Sequence, residues 1–122
     1  MPLPSISPYL KFLRGLVLRD RPIYFHYAVT SRCNLRCQSC SIWRRPTDEL
    51  TIAEVNELAE VAARMGCVQV SLGGGEPAMR DDLPDIVRAF QSRGVNTRVL
   101  SNGVALTRAK IQRLIDAGLR EV

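Results

Sequence analysis

Residues 51–77 read TIAEVNELAEVAARMGCVQVSLGGGEP. Thr51 with Glu54 three positions on has the form of a capping box, in which hydroxyl and carboxylate satisfy amides left open at a helix start. Val55, Leu58, Ala59, Ala62 and Met65 then share one face at helical spacing, and Gly66 is a natural C-terminal stop. Cys67 to Leu72 reads as a strand, and the glycine run follows it directly. A capped helix feeding a strand through a short join is half of a parallel βαβ unit.

The same unit recurs on both sides. Upstream, Ile23 to Thr30 is rich in aromatic and β-branched residues and apolar on both faces, as a buried parallel strand is. Downstream, Asp82 and Asp85 open a helix with Leu83, Ile86, Val87 and Phe90 as its stripe and Gly94 as its end. Asn96 to Ser101 is a third strand closed by Asn102-Gly103. Thr107 then caps a helix bearing Ile111, Leu114 and Ile115, and Leu119–Val122 reads as the start of a fourth strand. Ahead of this pattern, residues 1–8 are Pro/Ser-rich and expected to be loose. Ser7-Pro8 introduces a basic amphipathic helix carrying Tyr9, Leu10, Phe12, Leu13, Leu16 and Val17; such a helix can lie on a membrane surface, but its stripe is expected to dock on the protein's own barrel. The chain thus divides into an extension over 1–21 and an α/β unit over 22–122, with parallel strands and right-handed crossovers. In such sheets chemistry gathers at the carboxyl ends of the strands, so the three loops there should converge on one rim.

Bulk properties narrow the class. At 122 residues the chain is one domain, and no apolar run approaches the ~20 residues of a membrane span. Arg14, Arg19, Asp20 and Arg21 break the N-terminal apolar stretch too early for a secretory signal, so a cytoplasmic location is expected. There, cysteines serve as metal ligands or thiols rather than disulfides. The net charge of +5 sits in residues 1–50, with eight Lys/Arg against three Asp/Glu, while residues 51–122 balance at nine against nine. That field suits an anionic substrate or a redox partner, or is a solvated surface. No aromatic-interleaved basic repeat points to nucleic acid.

Two stretches carry chemistry. Cys33-Asn34-Leu35-Arg36-Cys37-Gln38-Ser39-Cys40 places three thiols in one short loop after the first strand. Soft thiolates select zinc, copper(I) or iron–sulfur clusters, and three ligands on a four-iron cube leave one iron open. Arg32 and Arg36 flank the thiols and either offset the charge of a reduced cluster or are ordinary solvated arginines. His26, seven residues before Cys33 and mid-strand, has poor spacing for a fourth ligand and reads as a core or edge histidine. Gly73-Gly74-Gly75-Glu76-Pro77 lacks the lysine of a phosphate loop; alone it reads as a tight βα turn, and beside the cysteines its main-chain carbonyls with a carboxylate suit a cation such as an ammonium group. Cys67 reads as a small buried core residue.

Taken in order and spacing, Val29-Thr30-Ser31-Arg32-Cys33 through Cys40, Gly74-Gly75-Glu76-Pro77 and Ser101-Asn102-Gly103 resemble the radical S-adenosylmethionine enzymes, from about residue 22 onward. The resemblance implies the first half of a partial (β/α)6 TIM-like barrel. It implies Cys33, Cys37 and Cys40 as ligands of a 4Fe–4S cluster whose open iron chelates S-adenosylmethionine. Gly74, Gly75 and Glu76 would recognise the amino group of that cofactor, and Asn102 would either contact it or serve as a turn residue. It further implies reductive cleavage to a 5′-deoxyadenosyl radical that abstracts hydrogen from a substrate the sequence does not choose, with a flavodoxin- or ferredoxin-like one-electron donor. Ser39 stands where the family often has an aromatic residue, and Trp43 either covers the site or packs the loop. The family core runs to about two hundred residues, so the expectation is a fragment of a longer enzyme. The alternatives are a non-catalytic iron–sulfur or zinc module, or one half of a split enzyme whose partner chain supplies the missing strands.

Overall fold

The computed structural model describes residues 7–19 and 21–122; the expectation of a loose segment falls almost wholly on residues outside these. Three parallel strands, β1 (Tyr24–Thr30), β2 (Gln69–Gly74) and β3 (Asn96–Val99), lie in the order β1-β2-β3. Helices α2 (Ile52–Arg64) and α3 (Leu83–Gln91) make the two crossovers, and α4 (Arg108–Asp116) follows β3. The capping box forms as read: Glu54 N–H donates to Thr51 Oγ1, and Thr51 N–H donates to Glu54 Oε2 at 2.7 Å. Thr107 caps α4 through Lys110 N–H. The fourth-strand stub pairs as predicted, with Glu121 bridging Arg98 in parallel and Val99 N–H donating to Glu121 O. β2 starts two residues later than the pattern suggested, because Cys67 N–H closes the end of α2 on Ala62 O.

Register explains the core. Phe25↔Val70↔Thr97 and Tyr27↔Leu72↔Val99 align across the sheet on the face that meets the helices. There Val70, Leu72 and Val99 are sealed with Val55, Ala59, Ile86, Val87 and Phe90. The Phe25 and Phe90 rings sit 5.9 Å apart in a tilted pair. Cys67 is buried in this cluster, and burial pushes its thiol up, as an inert core cysteine requires. The alternate positions, His26↔Ser71↔Arg98, belong to the opposite face, where Tyr24, His26 and Ala28 are exposed.

The N-terminal helix, α1 (Pro8–Leu18), departs from expectation. It touches the body of the protein through Gly15, which sits directly against Ile23, and through Lys11 and Arg14, which share a cleft with Met65 and Gly66. Its apolar stripe is not buried: Tyr9 is 80% and Val17 78% exposed. Gly15 lacks the side chain that would collide with Ile23, and the stripe residues Tyr9 and Phe12 border an open hollow beside Val68 and Asn96. No helix of the described residues is long and apolar enough to cross a membrane.

Candidate functional site

The cysteine loop has a fastened stem. Thr30 Oγ1 donates to Glu49 Oε1 at 2.6 Å, and Arg32 Nε reaches the same oxygen at 2.8 Å. Ser31 lies over the carbonyl of Pro46 and the hydroxyl of Thr47. Beneath them Arg80, only 4% exposed, donates to Val29 O and Leu50 O while pairing with both oxygens of Asp82. One guanidinium thus ties the end of β1 to the segment entering α2. Nothing local marks Arg80 in the sequence, since Val29 lies 51 positions away. Asp82 stands at the start of α3 as read, but its carboxylate serves Arg80 rather than capping the helix.

Arg80→Met leaves the buried Val29 carbonyl, the partly buried Leu50 carbonyl and Asp82 without their donor, and should lower stability by about 3 kcal/mol in urea unfolding. The hydrogen bond from Arg80 holds the Asp82 carboxyl below its ordinary range. Its contribution is therefore complete above about pH 4 and is lost as pH falls through the depressed value. Asp82→Asn should flatten this part of the acid limb of a stability–pH curve; an unchanged limb would exclude the pair as its source.

The tip of the loop is open. Cys33 is half-buried, Cys37 and Cys40 are exposed, and all are free thiols. Cys40 N–H turns back to Cys37 O at 3.1 Å, and Trp43 Nε1 donates to Cys40 O at 3.0 Å. Trp43 is held between two guanidinium groups, Arg36 at 4.4 Å and Arg44 at 4.7 Å from its ring centre. Arg36 therefore stacks on Trp43, and Arg32 is paired with Glu49. A hollow of about 380 Å³ lies against Cys37, Cys40, Ser39 and Trp43, and Cys33 does not line it. Among the described residues, no three His, Cys, Asp or Glu side chains are gathered as a metal-ion site. His26 lies with its ring against Gly73, on the sheet rather than in the loop.

The glycine run closes on the loop stem. Gly75 N–H donates to Thr30 O and Glu76 N–H to Arg32 O, both at 2.8 Å. A Cβ on Gly74, whose φ is +117°, would overlap Thr30 O, and one on Gly75 would overlap Arg32 O. The glycines are thus required by the protein's own main chain, as the tight-turn reading of the run implies. Glu76 is 1% exposed, and its carboxylate accepts from Ala78 N–H, Ser101 Oγ and Asn102 N–H. The Asn102 side chain takes Val104 N–H on its oxygen and donates its amide to Asn34 Oδ1 at 2.8 Å, one residue beyond Cys33. The three strand ends therefore do meet at one rim, stitched by Glu76 and Asn102. Asn34 and Ser101 were missed as stitching residues; Ser101 lay inside the motif, and Asn34 gave no signal.

The family model of the Radical SAM superfamily matches residues 27–122, which hold all three motif-bearing loops. The chain belongs to the radical SAM superfamily. The PqqA peptide cyclase of Rhizobium meliloti (strain 1021) is 37% identical over 97 residues, covering 77% of this chain. This chain spans 26% of that curated relative. BtrN, solved in complex with AdoMet and 2-DOIA, superposes with a TM-score of 0.70 at 23% identity, over 80% of this chain and 43% of BtrN. SuiB of Streptococcus suis, solved bound to S-adenosylmethionine, gives 0.71 at 20% identity, over 93% of this chain and 29% of SuiB. These likenesses place the three-stranded sheet in the radical SAM barrel fold. Radical SAM membership implies an enzyme with an iron–sulfur cluster. The donor set here is compatible with one: three uncommitted soft thiols on a loop without regular structure, standing on a fixed stem.

Proposed function

We propose that this chain is the cofactor-binding part of a radical SAM enzyme, with Cys33, Cys37 and Cys40 as the protein ligands of a 4Fe–4S cluster. The observation that carries the reading is the meeting of the three loops at one rim through Glu76 and Asn102. When bound, the cluster with its open iron supplies one electron for cleavage of S-adenosylmethionine to a 5′-deoxyadenosyl radical, which abstracts hydrogen from substrate.

The chain's own residues provide the setting. Gly74, Gly75 and Glu76 would bind the amino group of the cofactor, while the buried Glu76 carboxylate holds that edge in place. Asn102 completes the rim beside them. Arg36 and Arg44, exposed at the loop and stacked on Trp43, put positive charge beside Cys37 and Cys40, which favours the reduced, more negative state of the site. The same charge suits an acidic flavodoxin- or ferredoxin-like electron donor. A peptide substrate is the reading favoured by the relatives, one named a peptide cyclase and another solved with its precursor peptide SuiA. Four free thiols suit a reducing, cytoplasmic compartment.

The test is electron paramagnetic resonance on anaerobically reconstituted, dithionite-reduced protein. A 4Fe–4S signal that changes on adding S-adenosylmethionine is expected, with iron uptake of about four per chain. The C33A/C37A/C40A chain should lose nearly all of it. A signal indifferent to S-adenosylmethionine would reduce the site to a plain electron carrier, and retention of zinc in place of iron would sink the reading.

A further inference from the structure

We propose that Asn102 is a positioning residue which, through Asn34, latches the cysteine loop onto the glycine rim. The inference rests on reading that loop as the cluster site and adds how the loop is set against the cofactor edge.

Three features make the contact directional. Asn102 N–H is held by the buried Glu76 carboxylate, which fixes the backbone at the end of β3. Asn102 Oδ1 is taken by Val104 N–H at 3.0 Å, so the amide cannot be turned over without losing that bond, and Nδ2 must point outward. Asn34 Oδ1 receives it at 2.8 Å across 68 positions of sequence. Asn34 is adjacent to Cys33, the least exposed of the three thiols. Arg32, on the other side of Cys33, is bonded through its carbonyl to Glu76 N–H. Cys33 is therefore held from both sides by partners of one residue: Glu76 grips Arg32 directly and Asn34 by way of Asn102. Cys37 and Cys40 have no comparable tie to the rim among the described hydrogen bonds. The latch fixes one sulfur relative to Gly74–Glu76 and leaves the other two to adjust.

Complementarity of the two amides allows a test that a merely structural asparagine would not pass. N34D keeps an acceptor for Asn102. N102D keeps an acceptor for Val104 N–H, and Asn34 can rotate its amide to donate to the new carboxylate. N34D/N102D sets two carboxylates face to face, and no rotation restores the bond. The readout is amide exchange at Gly75 and Glu76 in the metal-free chain. Those N–H groups are bonded to the loop stem and are remote in sequence from both substitutions, so their intrinsic exchange is unaltered.

Each single variant should exchange within about twofold of the unsubstituted chain, and the double variant about tenfold faster. Equal exchange in all four chains, a double effect no larger than the product of the singles, or fast exchange already in either single would overturn the latch. If the double variant does not fold, N34L carries the same test from an exposed loop position: tenfold faster exchange supports the latch, and no change overturns it. Because the measurement needs no cluster, its outcome is separate from whether the cysteines bind iron. In reconstituted protein, the double variant should still take up iron, but its reduced signal should no longer shift with S-adenosylmethionine.

Discussion

Gly75→Ala should open the rim and cost the domain a large part of its stability. The added methyl would fall on the carbonyl oxygen of Arg32, a main-chain atom that is itself accepting from Glu76 N–H. No side-chain rotation relieves such an overlap. Either the glycine run moves away from the loop stem, breaking the bonds to Thr30 and Arg32, or β1 shifts against β2 where their register is already irregular. Overpacking of this kind costs about 3 kcal/mol or more, against a total of about 5–15 for a domain. Gly74→Ala meets the Thr30 carbonyl and adds a left-handed φ, so a similar loss is expected. Gly66→Ala supplies the contrast: its φ is +82° but nothing lies within 4 Å of the new atom, and about 1 kcal/mol should suffice. Urea midpoints of the three variants would check the ranking, and equal losses at Gly66 and Gly75 would refute the collision argument.

Glu76→Ala should be the second large effect, on stability as well as on cofactor binding. Its carboxylate is sealed from solvent and satisfies three donors from two separate loops, Ala78 N–H at 3.0 Å, Ser101 Oγ at 2.7 Å and Asn102 N–H at 2.8 Å. Removing it leaves those donors in a cavity where water replaces them poorly. A loss of about 4 kcal/mol follows at about 1–3 per abandoned donor, reduced because Ser101 and Asn102, unlike the buried Ala78, lie near the surface. Glu76→Gln should lose about half as much, because its carbonyl can still serve two donors while its amide opposes Asn102 N–H. Ser101→Ala should cost about 1 kcal/mol. If Glu76 were only a cofactor ligand, apo stability would be untouched in all three, and thermal unfolding without iron or S-adenosylmethionine decides the point.

These expectations show which parts of the molecule its sequence made legible. The strand–helix alternation was readable because its causes are local: Thr51 finds Glu54 three residues away, and Thr107 finds Lys110. The stub at Glu121 was readable because a crossover helix returns the chain to the edge it left. The roles of Glu76, Arg80 and Asn34 were not, because their partners lie far off in sequence and such pairings leave no period. The glycine run was legible as a turn, but only the fold shows which main-chain atoms a Cβ would meet there, the carbonyls of Thr30 and Arg32. The α1 stripe misled for the opposite reason: amphipathic spacing says a face wants cover without saying whether cover is supplied.

The contrast between the anchored stem and the open tip sets an order of events in maturation. The residues that seal the hydrophobic core include none of Cys33, Cys37 or Cys40. Folding therefore does not wait on metal, unlike small zinc modules whose binding energy is their folding energy. On the proposed reading of the cysteines, the core forms first and a cluster is loaded afterwards, with Cys37 and Cys40 exposed to its delivery. On that reading, a chain starved of iron should accumulate folded rather than as debris, and should take up iron later without new synthesis.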